Sequence, residues 1–264
     1  MTISFKHRLA VLALGMGCCL AAQADVVFAN FSSVSDLNLQ GSAAQAGNVL
    51  RLTPSAPGLT GSAWYDTKVK VGNGFITTFD FRISNLVNTG SDGFSFTLQS
   101  SSPTALGVGG GGLGFAGIGS SFSIKFDAHT NAFEPLAPFV GFQPNGLDAQ
   151  SASLGSTNVV PNFKDGNVHT ARIAYTPGDL SLYIDNMNIA VLSRAVDLST
   201  IFSLDQGTAY MGFTGSTGGG YENHDILAWT EHSVPEPAGW ALWMLALVAA
   251  SAAKAKRRRD DELA

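Results

Sequence analysis

Between residues 26 and 232 the chain is a succession of short apolar or alternating runs, each closed by Gly, Pro, Asn or Asp. Such runs read as strands, because successive side chains on a strand face opposite sides and a half-buried strand needs only every second residue apolar. They fall at residues 26–31, 49–52, 63–69, 74–83, 93–98, 121–127, 139–143, 170–176, 179–185, 208–215 and 226–232. Turn clusters separate them, including Val71-Gly72-Asn73-Gly74, Lys164-Asp165-Gly166-Asn167 and Pro177-Gly178-Asp179, the last joining two runs as a hairpin. No long helical period lies between the two ends, and no repeat of about 20–50 residues recurs. The pattern predicts one all-β domain over residues 25–233, a sandwich of antiparallel sheets. Residues 107–119 read as a glycine-rich loop and 148–160 as a polar one.

Both ends differ from this middle. Residues 1–24 carry Lys6, His7 and Arg8, an apolar run over 9–20, and Ala22-Gln23-Ala24, the three parts of a secretory signal peptide. Cys18 and Cys19, the only cysteines, fall inside it, so the exported domain is expected to hold together without disulfides. At the other end Val234-Pro235-Glu236-Pro237 precedes an apolar run over 238–253 and the basic cluster Lys254, Lys256, Arg257, Arg258 and Arg259. The run is short for a transmembrane helix, which needs about 20 residues, but its flanking cations can snorkel, and they would stay cytoplasmic. This order resembles the PEP-CTERM sorting signal of Gram-negative bacteria. The resemblance implies an inner-membrane anchor over residues 234–259, with a tail at 260–264, removed by an exosortase-type peptidase to leave the protein at the cell surface or outside. Of the 15 Lys and Arg, eight lie between Asp25 and Glu236, against 17 of the 20 acidic residues. This central part is thus near −9 and carries no basic patch for nucleic acid.

Residues 124–135, Ile-Lys-Phe-Asp-Ala-His-Thr-Asn-Ala-Phe-Glu-Pro, are the most chemically specific stretch. Phe122, Ile124 and Phe126 alternate with Ser123, Lys125 and Asp127 as on a half-buried strand, which then breaks where Asp127, Asn131 and Glu134 appear. Oxygen-bearing side chains at such spacing suit a hard cation such as Ca²⁺. Elsewhere, Asp92-Gly93 alone would read as a turn, and residues 109–112 as a flexible linker.

Taken together, the blocks Ser91-Asp92-Gly93-Phe94-Ser95-Phe96, Gly109-Gly110-Gly111-Gly112-Leu113-Gly114-Phe115, residues 124–135, and His224-Asp225-Ile226-Leu227-Ala228-Trp229 resemble the legume-type (L-type) lectins. Residues 28–31, 37–43, 50–53 and 61–65 look like that family's first strands. The resemblance implies a concanavalin-like jelly-roll sandwich and non-catalytic carbohydrate binding. It implies that Asp92, after a cis Ser91–Asp92 peptide, accepts sugar hydroxyls, that the Gly111 N–H meets the sugar, and that Asn131 donates to it. His129 stands where the family often places a stacking aromatic. Gly219, Tyr221 and Glu222 stand in the family's monosaccharide-selecting loop. Asp127, Asn131, the His129 carbonyl and Glu134 would hold Ca²⁺. The family's transition-metal ligands have become Lys125, Glu134 and Phe139; a charged ammonium and a phenyl ring ligate no divalent ion, so that second site is expected to be absent. Lys125 and Asp127 share a sheet face, so the ammonium is expected to pair with Asp127 or Glu134. A calcium-free loop held by that ammonium is the alternative. His224, Asp225 and Trp229 read as framework, with the Trp in the core.

The expected partner is a glycan, such as the cell's own exopolysaccharide. A surface-display sandwich with a decayed sugar site is the alternative. An enzyme of the β-glucanase kind would need the Glu-x-Asp-x-x-Glu pattern of that family, and the domain has none.

Overall fold

The structure, a computed structural model, describes residues 26–132, 134–148, 154–234 and Leu247. The signal peptide and nearly all of the sorting segment lie outside the described residues. Among those described, no helix is long and apolar enough to cross a membrane.

The strands run β1 (Val26–Phe28), β2 (Leu37–Gly41), β3 (Ala44–Ala46), β4 (Val49–Thr53), β5 (Thr60–Tyr65), β6 (Val69–Lys70), β7 (Phe75–Val87) and β8 (Gly93–Gln99). They continue as β9 (Ser121–Asp127), β10 (Phe139–Pro144), β11 (Gly155–Thr157), β12 (His169–Thr176), β13 (Asp179–Ile184), β14 (Leu192–Arg194), β15 (Thr208–Ser216) and β16 (Tyr221–Ser233). One helical turn, α1 (Leu198–Ile201), is capped by the Asp197 carboxylate accepting from the Ser199 N–H at 3.0 Å. Every described strand pair is antiparallel. One sheet orders β14-β13-β12-β7-β16-β4-β3, with β1 beside β16; the other orders β11-β10-β9-β8-β15-β5-β2, with β6 beside β15.

The expected sandwich is therefore present, and the strands that alternation leaves unmarked have a common reason. β3, β11 and β14 are three residues each and lie at sheet edges, while β2, legible only through the family resemblance, is the fourth edge. An edge strand has a neighbour on one side only and is kept short and polar, so no apolar period marks it.

Aromatic rings fill the space between the sheets. Phe79 of β7 reaches across to Phe213 at 5.0 Å, Phe126 at 5.7 Å and Phe96 at 5.9 Å between ring centroids. Phe94 and Phe126, directly opposite on β8 and β9, stack at 4.7 Å. Trp229 is fully buried, as its sequence context suggests, and donates its indole N–H to Thr77 Oγ1 at 2.9 Å.

The sandwich departs from expectation on its second face. β8 and β9 are buried on both sides, not half-buried. The outer face carries hydroxyls joined in a chain: Ser95 to Thr97 at 2.7 Å, Ser95 to Thr214 at 2.8 Å and Thr97 to Ser123 at 2.8 Å. The glycine-rich loop lies over them and buries Leu113 and Phe115, with Thr214 Oγ1 donating to the Leu113 carbonyl at 2.7 Å. Alternation looks polar here because the covering layer is hydrogen-bonded rather than greasy.

A titratable cluster ties β12 to the turn after β13. His169 contacts Asp185 at 2.8 Å and Asp165 at 3.1 Å. Burial disfavours the His169 imidazolium, but the hydrogen bonds its ring donates to Asp185 and Asp165 outweigh that and raise its pKa above the ordinary value. A raised folded-state pKa stabilises below the unfolded value, about 6.5, and the contribution is lost as pH rises through the folded pKa. Urea midpoints of the wild-type protein are therefore expected to fall relative to H169N as pH rises from the acid side of neutrality to the alkaline side, and then to level off.

Candidate functional site

Strands β8 and β9 end side by side, Gly93 opposite Asp127, so Asp92 and Ala128 leave the sheet at the same corner. Four loops meet there. The Ala128 N–H donates to the Asp92 carbonyl at 2.8 Å, and the Asp92 N–H to the Ser216 carbonyl at 3.0 Å. Ser91 Oγ accepts from the Gly218 N–H at 3.3 Å and donates to the Gly220 carbonyl. Ser216 Oγ donates to the Gly110 carbonyl at 2.6 Å. The Ser91–Asp92 peptide is cis, as the family resemblance implies.

Asp92 is the centre of this arrangement. It is 6% exposed, and its Oδ2 has no hydrogen-bond partner. Burial pushes its carboxyl pKa up; the His129 and His224 side chains oppose that, and Glu222 and Glu134 reinforce it. Gly218 leaves it room, since a Cβ there would stand 2.9 Å from Asp92 Oδ2. On the other side, residues 110–112 form a turn that uses the N–H groups of Gly112 and Leu113, leaving those of Gly110 and Gly111 outside it. Across the corner, Asn131 Nδ2 is buried and also lacks a partner. A buried acceptor and a buried donor are thus left without partners in the loops before β8 and after β9, a pairing suited to hydroxyls, which both donate and accept.

Beneath Asn131, the expected ion pair is present. Lys125, 3% exposed, places Nζ 2.9 Å from Glu134 Oε1 and 3.8 Å from Asp127 Oδ2. Its ammonium also lies 4.5 Å from the Phe139 ring centroid. Gly141, directly opposite on β10, makes way for the lysine stem: a Cβ there would be 3.1 Å from its Cε. Glu134 Oε2 in turn accepts the Asn131 N–H at 3.0 Å, so the pair fixes the loop main chain. Asp127 accepts the His129 N–H at 3.1 Å through Oδ1, while its Oδ2 accepts no hydrogen bond. Burial first, and Glu134 second, hold the Asp127 pKa well above the ordinary carboxylate value, against the pull of Lys125.

These contacts test the donor set for a cation. Asp127 Oδ2, the Asn131 amide and the His129 carbonyl remain for one hard ion, whereas both Glu134 oxygens are already engaged. Among the described residues no group of three His, Cys, Asp or Glu could hold a metal. The ligands for Ca²⁺ would therefore include amide and carbonyl oxygens.

The structure gathers Asp92, Asp127, His129, Asn131 and Glu134 around this corner, while of the glycine turn it is Gly110, the neighbour of Gly111, where a Cβ would stand 4.0 Å from Asp92 Oδ2. It does not gather all the residues of the selecting loop. Glu222 is fully buried under Gly90, with Oε1 3.2 Å from His224 Nε2, so it supports the site from below. Tyr221 opens β16 opposite Val87 and takes no part in the contacts that join the loops. Gly219 is exposed at the rim, its carbonyl accepting from Asn88 Nδ2 at 3.4 Å. His224 and Asp225 turn apart, as expected of framework: His224 Nδ1 meets Thr53 Oγ1 at 2.6 Å, and Asp225 is gripped by Arg51 at 2.7 and 2.9 Å and by Arg82 at 3.3 Å. Sequence reasoning missed the roles of Ser216 and Lys164. Lys164 sits in a turn cluster, and only the fold carries its Nζ to the carbonyls of Thr89, at 2.8 Å, and Ala128.

A profile of the legume lectin beta-barrel domain matches residues 27–229. The chain is 30% identical to the seed lectin of Styphnolobium japonicum over 231 residues, covering 78% of this chain and 77% of that protein. It is 29% identical to the bark lectin of the same plant, covering 78% of this chain and 83% of that one. The solved lectin of Bauhinia forficata, in complex with GalNAc, superposes with a TM-score of 0.70 at 26% identity, over 82% of this chain and 100% of that one. The chain belongs to the legume (L-type) lectin family.

Removing the ammonium alone would strand two buried carboxylates, and breaking a buried pair in this way costs about 3–5 kcal/mol. Lys125→Met is expected to lower the urea-unfolding free energy by that order, whereas Lys68→Met, at the exposed pair with Asp205, should change it by no more than about 1 kcal/mol.

Proposed function

We propose that this chain is an exported, non-catalytic glycan-binding protein that holds sugar hydroxyls between Asp92 and Asn131. The observation that carries this reading is that Asp92 Oδ2 and Asn131 Nδ2, in the loops before β8 and after β9, are both buried and unpartnered. A buried carboxylate oxygen and amide left without partners are costly unless a ligand completes them. The Gly110 and Gly111 N–H groups add donors at the rim, and His129 offers a flat face at the opening. Family membership supports the same reading, and the Bauhinia forficata relative was solved with GalNAc bound. No catalytic role is proposed for His224 or Glu222, because both side chains are closed off from solvent.

One Ca²⁺, held by Asp127, Asn131 and the His129 carbonyl, would supply a fixed positive charge that orients the Asn131 amide. Lys125 takes the place of a second, transition-metal ion. For cellular context the reading rests on the terminal segments: export through residues 1–24, inner-membrane anchoring through residues 234–259, and exosortase-type release at a Gram-negative surface. There the glycan could be the cell's own exopolysaccharide.

The test is calorimetric titration of GalNAc, galactose and a glycan panel, with calcium and with chelator. Asp92→Asn and Gly218→Ala are each expected to weaken the best ligand about tenfold or more, the first by removing a charged acceptor and the second by displacing it. Calcium should raise the melting temperature, and added manganese should raise it no further. A wild-type protein that binds no glycan in either condition would instead be a surface-display scaffold.

A further inference from the structure

Next to the Asp92 corner lies an open cleft of about 280 Å³, lined by Thr89, Ala128, His129, Thr130, Ala137 and Lys164. Its walls are the loops that carry Asp92 and Asn131, so a glycan seated on those residues would extend into it. The volume is near the lower end of small-ligand pockets, about 300–1,000 Å³.

Lys164 is built into this cleft rather than waving over it. The preceding residue, Phe163, is fully buried against Phe81 at 5.9 Å and Phe126 at 6.1 Å. That anchor fixes the lysine stem, and Nζ donates to the Thr89 carbonyl at 2.8 Å and to the Ala128 carbonyl. An ammonium has three donors, so one remains for a ligand. Both acceptors are neutral, and Lys164 makes no ion pair among the described residues. By contrast Arg51, Lys68, Arg82 and Lys125 each face a carboxylate.

The lining holds no Asp or Glu, and its two titratable side chains, Lys164 and His129, are both basic. On a domain with about twice as many acidic as basic residues, and with Asp92 and Asp127 close behind His129, a lining that offers a cation and no carboxylate is distinctive. A neutral sugar would need no such cation. Resting on the glycan-binding reading, we propose that this cleft is a subsite for an anionic substituent, a carboxylate or a sulfate, on the glycan whose hydroxyls Asp92 and Asn131 hold. The anion would sit over Lys164, away from the Asp92 carboxylate, with the free ammonium N–H donating to it and charge assistance strengthening the bond.

The experiment compares matched oligosaccharides on the wild-type protein: a neutral galactan, the corresponding oligogalacturonate and a sulfated galactan. At low salt one of the anionic forms is expected to bind about tenfold tighter than the neutral one, and the advantage should shrink as salt rises. Which arm shows it identifies the anion. Lys164→Gln should bring the anionic-to-neutral affinity ratio close to one, and Lys164→Arg should keep it high. Because the readout is a ratio, any loosening of the loops by the substitution cancels. Equal affinities for neutral and anionic forms in the wild type, or a ratio unchanged in Lys164→Gln, would overturn the subsite while leaving glycan binding intact. Failure of all three oligosaccharides to bind would overturn the subsite, and the same failure across the glycan panel would overturn the glycan-binding reading as well.

Discussion

The corner around Asp92 and Asp127 depends on one buried cation. Lys125 extends along the outer face of β9 into a space bounded by Glu134, Asp127 and Phe139, and every part of the metal-type loop is referred to it. Glu134 is held by the ammonium and itself holds the Asn131 main chain; Asp127 sits within its field and holds the main chain at His129. An ammonium supplied by the chain needs no capture from solution, but it carries one charge where a divalent ion carries two. The carboxylates around it are accordingly under-compensated, which is why burial and Glu134 together keep the Asp127 pKa so high.

That corner is steady because of what lies behind it. Phe126 and Phe94 stack one residue away from Asp127 and Gly93, and Phe163 closes over Phe126. The same aromatic layer that joins the two sheets thus sets the positions of Asp92, Asp127 and Lys164. Two-sided burial of β8 and β9 extends the effect, since the glycine-rich loop is pinned to the sheet by Thr214 and Ser216 and cannot drift from the site it borders.

Legibility in the sequence followed burial. Strands such as β9 and β12, with an apolar residue at every second place, were readable to within a residue, whereas edge strands with one neighbour were not. At the corner, the Lys125–Glu134 pair was legible because residues 124–135 sit close together along the chain. Glu222 looked equally suited to a pocket, yet the loop that carries Gly90 closes directly over its carboxylate and buries it. Lys164 looked like part of a turn, since its target carbonyls are far away along the chain.

By itself the sequence determined the all-β class and the family. These follow from residue chemistry and local spacing, which do not change on folding. Only the tertiary structure decided which polar atoms are left without partners, which carboxylates the few cations neutralise, and that Lys164 joins His129 in a cleft without acid. Those are properties of burial and of contacts between segments remote in sequence, where the withdrawal of water turns an ordinary side chain into a costly or a useful one.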